Sequence, residues 1–124
     1  MDNIYKEKAL ERLEIANWQV KTENMPTLGS TLYFALFNFM QSVLGEPPEG
    51  KWKHGGILNL FSKKCYKENL LDKQTLKKLS SAYEDLYIYR LKSDYKRDTL
   101  TEKEKIELLA LKDLLNEVIG KWQK

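Results

Sequence analysis

The sequence is poor in the residues that carry most metal and disulfide chemistry. It has one cysteine, Cys65, so no disulfide can close within the chain. A lone cysteine fits a reducing compartment, and a cytoplasmic protein is expected. It has one histidine, His54. Together these leave no His/Cys/Asp cluster at metal-ligand spacing, so neither a structural zinc nor a cofactor is expected. With one histidine, no Ser-His-Asp order can be drawn either. The six glycines and three prolines do not fall in a P-loop or a dinucleotide-binding pattern. No apolar run approaches the roughly 18 residues that would cross a membrane. The first residues, "MDNIYKEKALERLE", are charged and read as helix rather than leader. The net charge of +3 permits contact with nucleic acid or an acidic partner without requiring it.

What remains is an ordinary globular composition, 124 residues with 42% hydrophobic and 31% charged. That supports one core and one domain over residues 1–124. Five helices and no convincing strand are predicted. The first runs from about Asp2, a capping residue, to Glu23, with Ala9, Leu13, Ala16 and Val20 at helical spacing. The second covers about Thr27 to Leu44. It is apolar nearly all round, through Leu32, Tyr33, Phe34, Leu36, Phe37, Phe39, Met40 and Val43, so a central position is expected. "GEPPEGKWK" is a loop.

A short third helix follows in "HGGILNLFSKKCY", with Ile57, Leu58 and Phe61 enough to dock two or three turns. The fourth begins near Asp72, carries Leu76, Leu79, Tyr83 and Leu86 on one stripe, and runs through Arg90 toward Arg97. The fifth starts at "TEKE", where Thr101 and Glu104 match a capping box. A broad apolar face follows, from Ile106 through Leu108, Leu111 and Leu115 to Ile119. The fold class is all-α. The architecture is an up-and-down bundle of four to five helices, with a short extra helix after the second long one.

The fourth helix carries an anomaly. Its stripe steps by three and four to Arg90 and then to Asp94, where apolar residues should continue. Either these two form a structural ion pair, or the seam opens there into a site. His54, before Gly55 and Gly56, is open to two readings as well. It can serve acid/base work or phosphate binding, with the glycines allowing close approach, or it can bond a backbone group where the helix begins. Tyr83, Tyr87, Tyr89 and Tyr95 can pack, or they can stack a base and offer hydroxyls to a phosphate. Lys77, Lys78, Lys92, Lys96 and Arg97, with Lys63, Lys64 and Lys67, form a solvated basic face that could meet RNA or an acidic partner.

Three segments together resemble the HEPN family (higher eukaryotes and prokaryotes nucleotide-binding domains), in particular a compact prokaryotic branch of small stand-alone members. They are "STLYFALF" (30–37), "HGGILNLF" (54–61) and "YRLKSDY" (89–95), and the likeness extends over about residues 5–120. The resemblance implies a helical bundle that pairs as a homodimer. It implies RNA or nucleotide as ligand, and a minimal nucleotidyltransferase as antitoxin partner that in some pairs adenylylates a tyrosine. Ribonuclease members carry an arginine followed four to six residues later by histidine. Here Arg90 fits the arginine, but Leu91 follows it, and Asp94 and Tyr95 stand where the histidine would be. By this resemblance Arg90, Asp94, Tyr95, Tyr87, Lys92 and His54 would bind nucleotide or RNA. The alternative is a divergent, metal-independent RNA endonuclease using Arg90 with His54 or Tyr95. A purely structural role for Arg90 and Asp94 is the third reading.

Overall fold

A computed structural model of the chain describes residues 3–95 and 100–122. The side chains of Asp94 and Tyr95 are not among those described. Five helices account for the described structure and no strand occurs in it: α1 (Ile4–Lys21), α2 (Leu28–Leu44), α3 (His54–Glu68), α4 (Lys73–Tyr95) and α5 (Glu102–Gly120). The bundle is all-α, as the periodicity predicts.

The helix boundaries follow from local chemistry. Asn3 caps α1, its side chain accepting from the Lys6 amide at 3.2 Å. The expected cap, Asp2, lies outside the described residues. Asp72 caps α4 twice over, accepting from the Thr75 amide at 2.7 Å and the Thr75 hydroxyl at 2.9 Å. The Thr101–Glu104 capping box is present in both directions, at 3.1 and 2.9 Å. α3 is longer than the expected two or three turns. Cys65 extends the buried stripe of Ile57 and Phe61 by another turn, and Asn69 ends the helix in a left-handed conformation at φ 53°. The end of the fourth helix toward Arg97 lies outside the described residues.

Side-chain pairs fix the helix directions. Tyr5 reaches Glu46, Arg12 reaches Asn38 and Gln19 reaches Thr27, so α1 and α2 are antiparallel. Tyr33 meets Tyr83, and the Ser93 hydroxyl donates to the Pro26 carbonyl, so α4 is antiparallel to α2. Lys6 with the Trp122 carbonyl and Asn17 with Asn116 pair α1 and α5 in opposite senses. α3 differs. His54 meets Tyr33 near the start of α2, Phe61 packs on Phe39, and Lys64 donates to the Val43 carbonyl near its end. α3 therefore runs in the same sense as α2, and the 45–53 loop carries the chain back along it. The Trp52 indole donates to the Gly45 carbonyl at 3.0 Å and closes that loop.

α2 is the hub and packs against all four other helices. Leu28, Leu32, Leu36, Phe39 and Met40 are fully enclosed, as the all-round apolar sequence requires. The stripes expected on α1 and α4 are also inside: Ala9, Leu13 and Ala16, then Leu79, Tyr83 and Leu86. On α5 the face is narrower than expected. Leu108, Leu111, Leu115 and Ile119 are buried, but Ile106 is 67% exposed. It sits about half a turn away from Leu108, on the opposite side of the helix.

Two predictions follow from this packing. A Cβ at Gly29 of α2 would collide with the Tyr89 Cβ of α4. Gly29→Ala should cost about 1–3 kcal/mol of stability, read from a urea melt. The second concerns Glu104, whose pKa is held down at about 2 chiefly by its bond to Lys92, with help from the Thr101 amide. Its folded value lies below the ordinary 4.5, so this contribution is complete above pH 4.5 and is lost as pH falls toward 2. Glu104→Gln should therefore flatten the acid limb of the stability profile in that window.

Candidate functional site

Three helices converge on Tyr33. The residue sits on α2 with only 4% of its surface exposed. A buried tyrosine on an otherwise apolar helix must find partners for its hydroxyl. The Tyr33 hydroxyl has two, the Tyr83 hydroxyl of α4 at 3.1 Å and His54 Nδ1 of α3 at 2.9 Å. His54 Nε2 in turn faces the Glu84 carboxylate at 3.4 Å.

Electrostatics give this chain a direction. A carboxylate can only accept, so His54 Nε2 carries the proton that points toward Glu84. In the neutral ring Nδ1 is then the acceptor, Tyr33 donates to it, and Tyr83 donates to Tyr33. Both tyrosines stay protonated near neutral pH. Burial raises Tyr33, outweighing the nearby Arg90 guanidinium, and burial with the Tyr33 bond raises Tyr83 further.

The His54 ring packs against two aromatic faces, Tyr87 at 3.9 Å and Tyr83 at 4.4 Å between ring centres. Its side chain keeps 25% exposure, so one edge faces solvent. The helix-start reading, in which His54 bonds a backbone group, is replaced by side-chain bonds to Tyr33 and Glu84. Gly55 and Gly56 are exposed, and a Cβ on either would meet nothing within 4 Å. No backbone presses on them.

Arg90 reaches the other side of the same tyrosine. Its guanidinium carbon lies 5.5 Å from the centre of the Tyr33 ring and 5.2 Å from that of Phe34. Arg12 of α1 lies 5.2 Å from the same Phe34 ring, its Nε donating to Asn38 at 2.9 Å. Two guanidinium groups thus flank one partly exposed phenylalanine. Each such contact is worth about 0.5–1 kcal/mol, so aromatic packing holds both side chains in place beside the His54 cluster.

The sequence candidates divide accordingly. His54, Tyr87 and Arg90 come together around Tyr33. Lys92 does not; it lies 5.8 Å over the Tyr89 ring and pairs with Glu104 of α5 at 2.7 Å. Tyr89 is buried under the α2–α4 contact, and its hydroxyl is pushed up to about 12, first by burial and then by Glu107. Asp94 and Tyr95 occupy the last turn of α4, but their side chains, and so the expected Arg90–Asp94 pairing, lie outside the described residues. Tyr33, Glu84 and Arg12 were not among the candidates. Tyr33 could have been found by asking where the hydroxyl of a buried tyrosine goes. Nothing in the pattern marks Glu84 or Arg12.

No protein-family model matches the chain. The chain is similar to a protein of Methanocaldococcus jannaschii named Putative toxin MJ0142, 29% identical over 106 residues. The match covers 86% of this chain and 69% of that protein. Among the described residues, no helix is long and apolar enough to cross a membrane.

Tyr33→Phe tests the hydrogen-bonded chain. It strands the buried Tyr83 hydroxyl and should cost about 1–3 kcal/mol. Adding Tyr83→Phe removes the stranded group, so the double variant should lose clearly less than the sum of the two single losses in urea melts.

Proposed function

We propose that this chain is a HEPN-like toxin module that binds the phosphate of a nucleotide or of RNA at the Tyr33 cluster. The observation that carries the reading is the convergence of Arg90 and His54, from different helices, on the same tyrosine. Arg90 supplies a permanent charge with a planar fork of donors suited to phosphate. His54 adds a partly exposed imidazole edge, and Tyr87 an aromatic face beside it. Asp94 and Tyr95 belong to the proposed site by their place one turn beyond Arg90. The likeness to a protein named as a toxin supports the toxin part of the reading, and with it an antitoxin partner. In the HEPN pattern that partner is a minimal nucleotidyltransferase, and the module acts as a homodimer.

One observation favours a second reading, a divergent ribonuclease. In it the histidine missing after Arg90 on α4 would come from α3, where His54 packs on Tyr83 and Tyr87. In that reading the ring takes its other tautomer, Nδ1–H donating to the Tyr33 hydroxyl, so that Nε2 takes the proton of the attacking 2′-hydroxyl; Arg90 stabilises the charged phosphorus centre, and the 5′-oxygen leaves with a proton from water.

Induced expression in a bacterial host tests the proposal. The wild-type chain should arrest growth, and Arg90→Ala should relieve the arrest. In binding assays with labelled ATP and oligoribonucleotides, Arg90→Ala should weaken the bound species roughly 10- to 100-fold, the range for a hydrogen bond to a charged group. Intact cellular RNA during arrest fits the binding module, and cleaved RNA that depends on His54 fits the ribonuclease. Unimpeded growth together with no binding of either ligand would sink both.

A further inference from the structure

The positive charge of this chain is concentrated in one region. Residues 51–78 hold eight lysines and two carboxylates, a local balance of +6 in a chain of +3, so the remainder is net −3. The two carboxylates are Glu68 and Asp72. Asp72 is committed to capping α4 through Thr75.

The fold turns this run into a groove. α3 and the first half of α4 lie side by side and antiparallel, and between them is a cavity of about 560 Å³. Lys63 comes from α3, and Lys73 and Lys77 from α4, with Asn59 and Ser80 between them. No carboxylate lines it. On its rim stands Tyr66, 76% exposed, the most exposed of the large hydrophobic side chains in the described structure. Packing gives no reason for an aromatic ring there. The groove runs along α3 toward the His54–Glu84 pair, which bridges the same two helices.

We infer that the α3–α4 groove binds single-stranded nucleic acid, its lysines on consecutive phosphates and Tyr66 stacked on a base. Charge alone would suit any polyanion, including an acidic protein segment. The exposed aromatic decides for nucleic acid, because a base has a face to stack on and a glutamate side chain has none. The groove extends the phosphate-site reading, since it would lead a strand toward the Tyr33 cluster. It is nonetheless a separate surface, with no residue in common with that cluster.

The experiment uses the full chain and a fluorescein-labelled 2′-O-methyl oligouridine of about 12 nucleotides, long enough to span a groove of this type and closed to attack by its own 2′-oxygen. Fluorescence anisotropy should show binding that weakens with salt. Lys63→Gln/Lys73→Gln/Lys77→Gln should weaken it at least tenfold and reduce the log–log salt slope by about 2, three phosphates at roughly 0.7 each. Tyr66→Ala should weaken binding roughly tenfold at every salt concentration without changing the slope, and Tyr66→Phe should restore it. All four positions are exposed, so the variants should keep the wild-type melting curve.

Wild type that fails to bind at about 50 mM salt overturns the inference, as does a triple variant that binds like wild type. So does an oligoglutamate peptide that competes equally well while Tyr66→Ala has no effect, which would make the groove a docking face for acidic protein. Arg90→Ala separates the two proposals. Loss of binding with Arg90→Ala but not with the lysine variants leaves the cluster standing and removes the groove. The reverse pattern removes the cluster and leaves the groove.

Discussion

A helix that is apolar on nearly every side cannot rest against one neighbour; it must be surrounded. That constraint on α2 organises the molecule. Leu28, Leu32, Leu36, Phe39 and Met40 leave no face that water could cover cheaply. α1 and α4 both run antiparallel to it, α5 and the Trp122 that follows it close the side near Phe39, and α3 fills what is left. The placement of α3 follows from this demand. A short antiparallel return would have placed the start of α3 at the end of α2. The nine-residue loop 45–53 instead brings His54 back to the level of Tyr33.

The polar cluster is a by-product of that enclosure. Tyr33 is as buried as its apolar neighbours, yet it carries a hydroxyl that cannot be left alone. Tyr83 and His54 answer the need from two sides. The chain of donors runs outward from the buried Tyr83 to the half-exposed His54 and the exposed Glu84. Arg90 and Arg12 are steered by aromatic rings, Tyr33 and Phe34 for the first and Phe34 for the second. The cluster is thus held by the core itself. Its geometry depends on α2 remaining packed, and on the close α2–α4 approach that Gly29 permits.

Much of this was legible in the sequence, and the failures have physical causes. Local signals read well. Asp72 and the Thr101–Glu104 box mark helix starts because they satisfy backbone amides within three residues of themselves. The stripes of α1 and α4 read well because burial there is one-sided. Ile106 falls outside the expected face because leucine and isoleucine crowd α5 so densely that the stripe has no sharp edge in the sequence. α3 exceeds the two or three turns that Ile57 and Phe61 predict because Cys65, small and weakly apolar, adds another turn of core. Arg90 announced itself by breaking a stripe. Tyr33 did not, because an aromatic residue among aromatics breaks nothing, and only the fate of its hydroxyl sets it apart. Arg12 and Glu84 owe their places to tertiary proximity, which periodicity does not encode.

The parallel course of α2 and α3 also bears on when the cluster comes into being. α1 and α2 meet through a tight connection, with Gln19 and Thr27 only eight positions apart at its mouth. That hairpin closes at little entropic cost. The Tyr33–Tyr83 contact spans 50 positions, and His54–Glu84 spans 30. The first needs α4 to fold back along α2, and the second needs it to lie against α3. During synthesis the hairpin leaves the ribosome before α4 does, so the Tyr83 and Glu84 contacts must wait for a later part of the chain than the Tyr33–His54 contact, which spans 21 positions. A chain stopped between Leu44 and Tyr83 would contain both helices of the hairpin but lack Tyr83, Glu84 and Arg90.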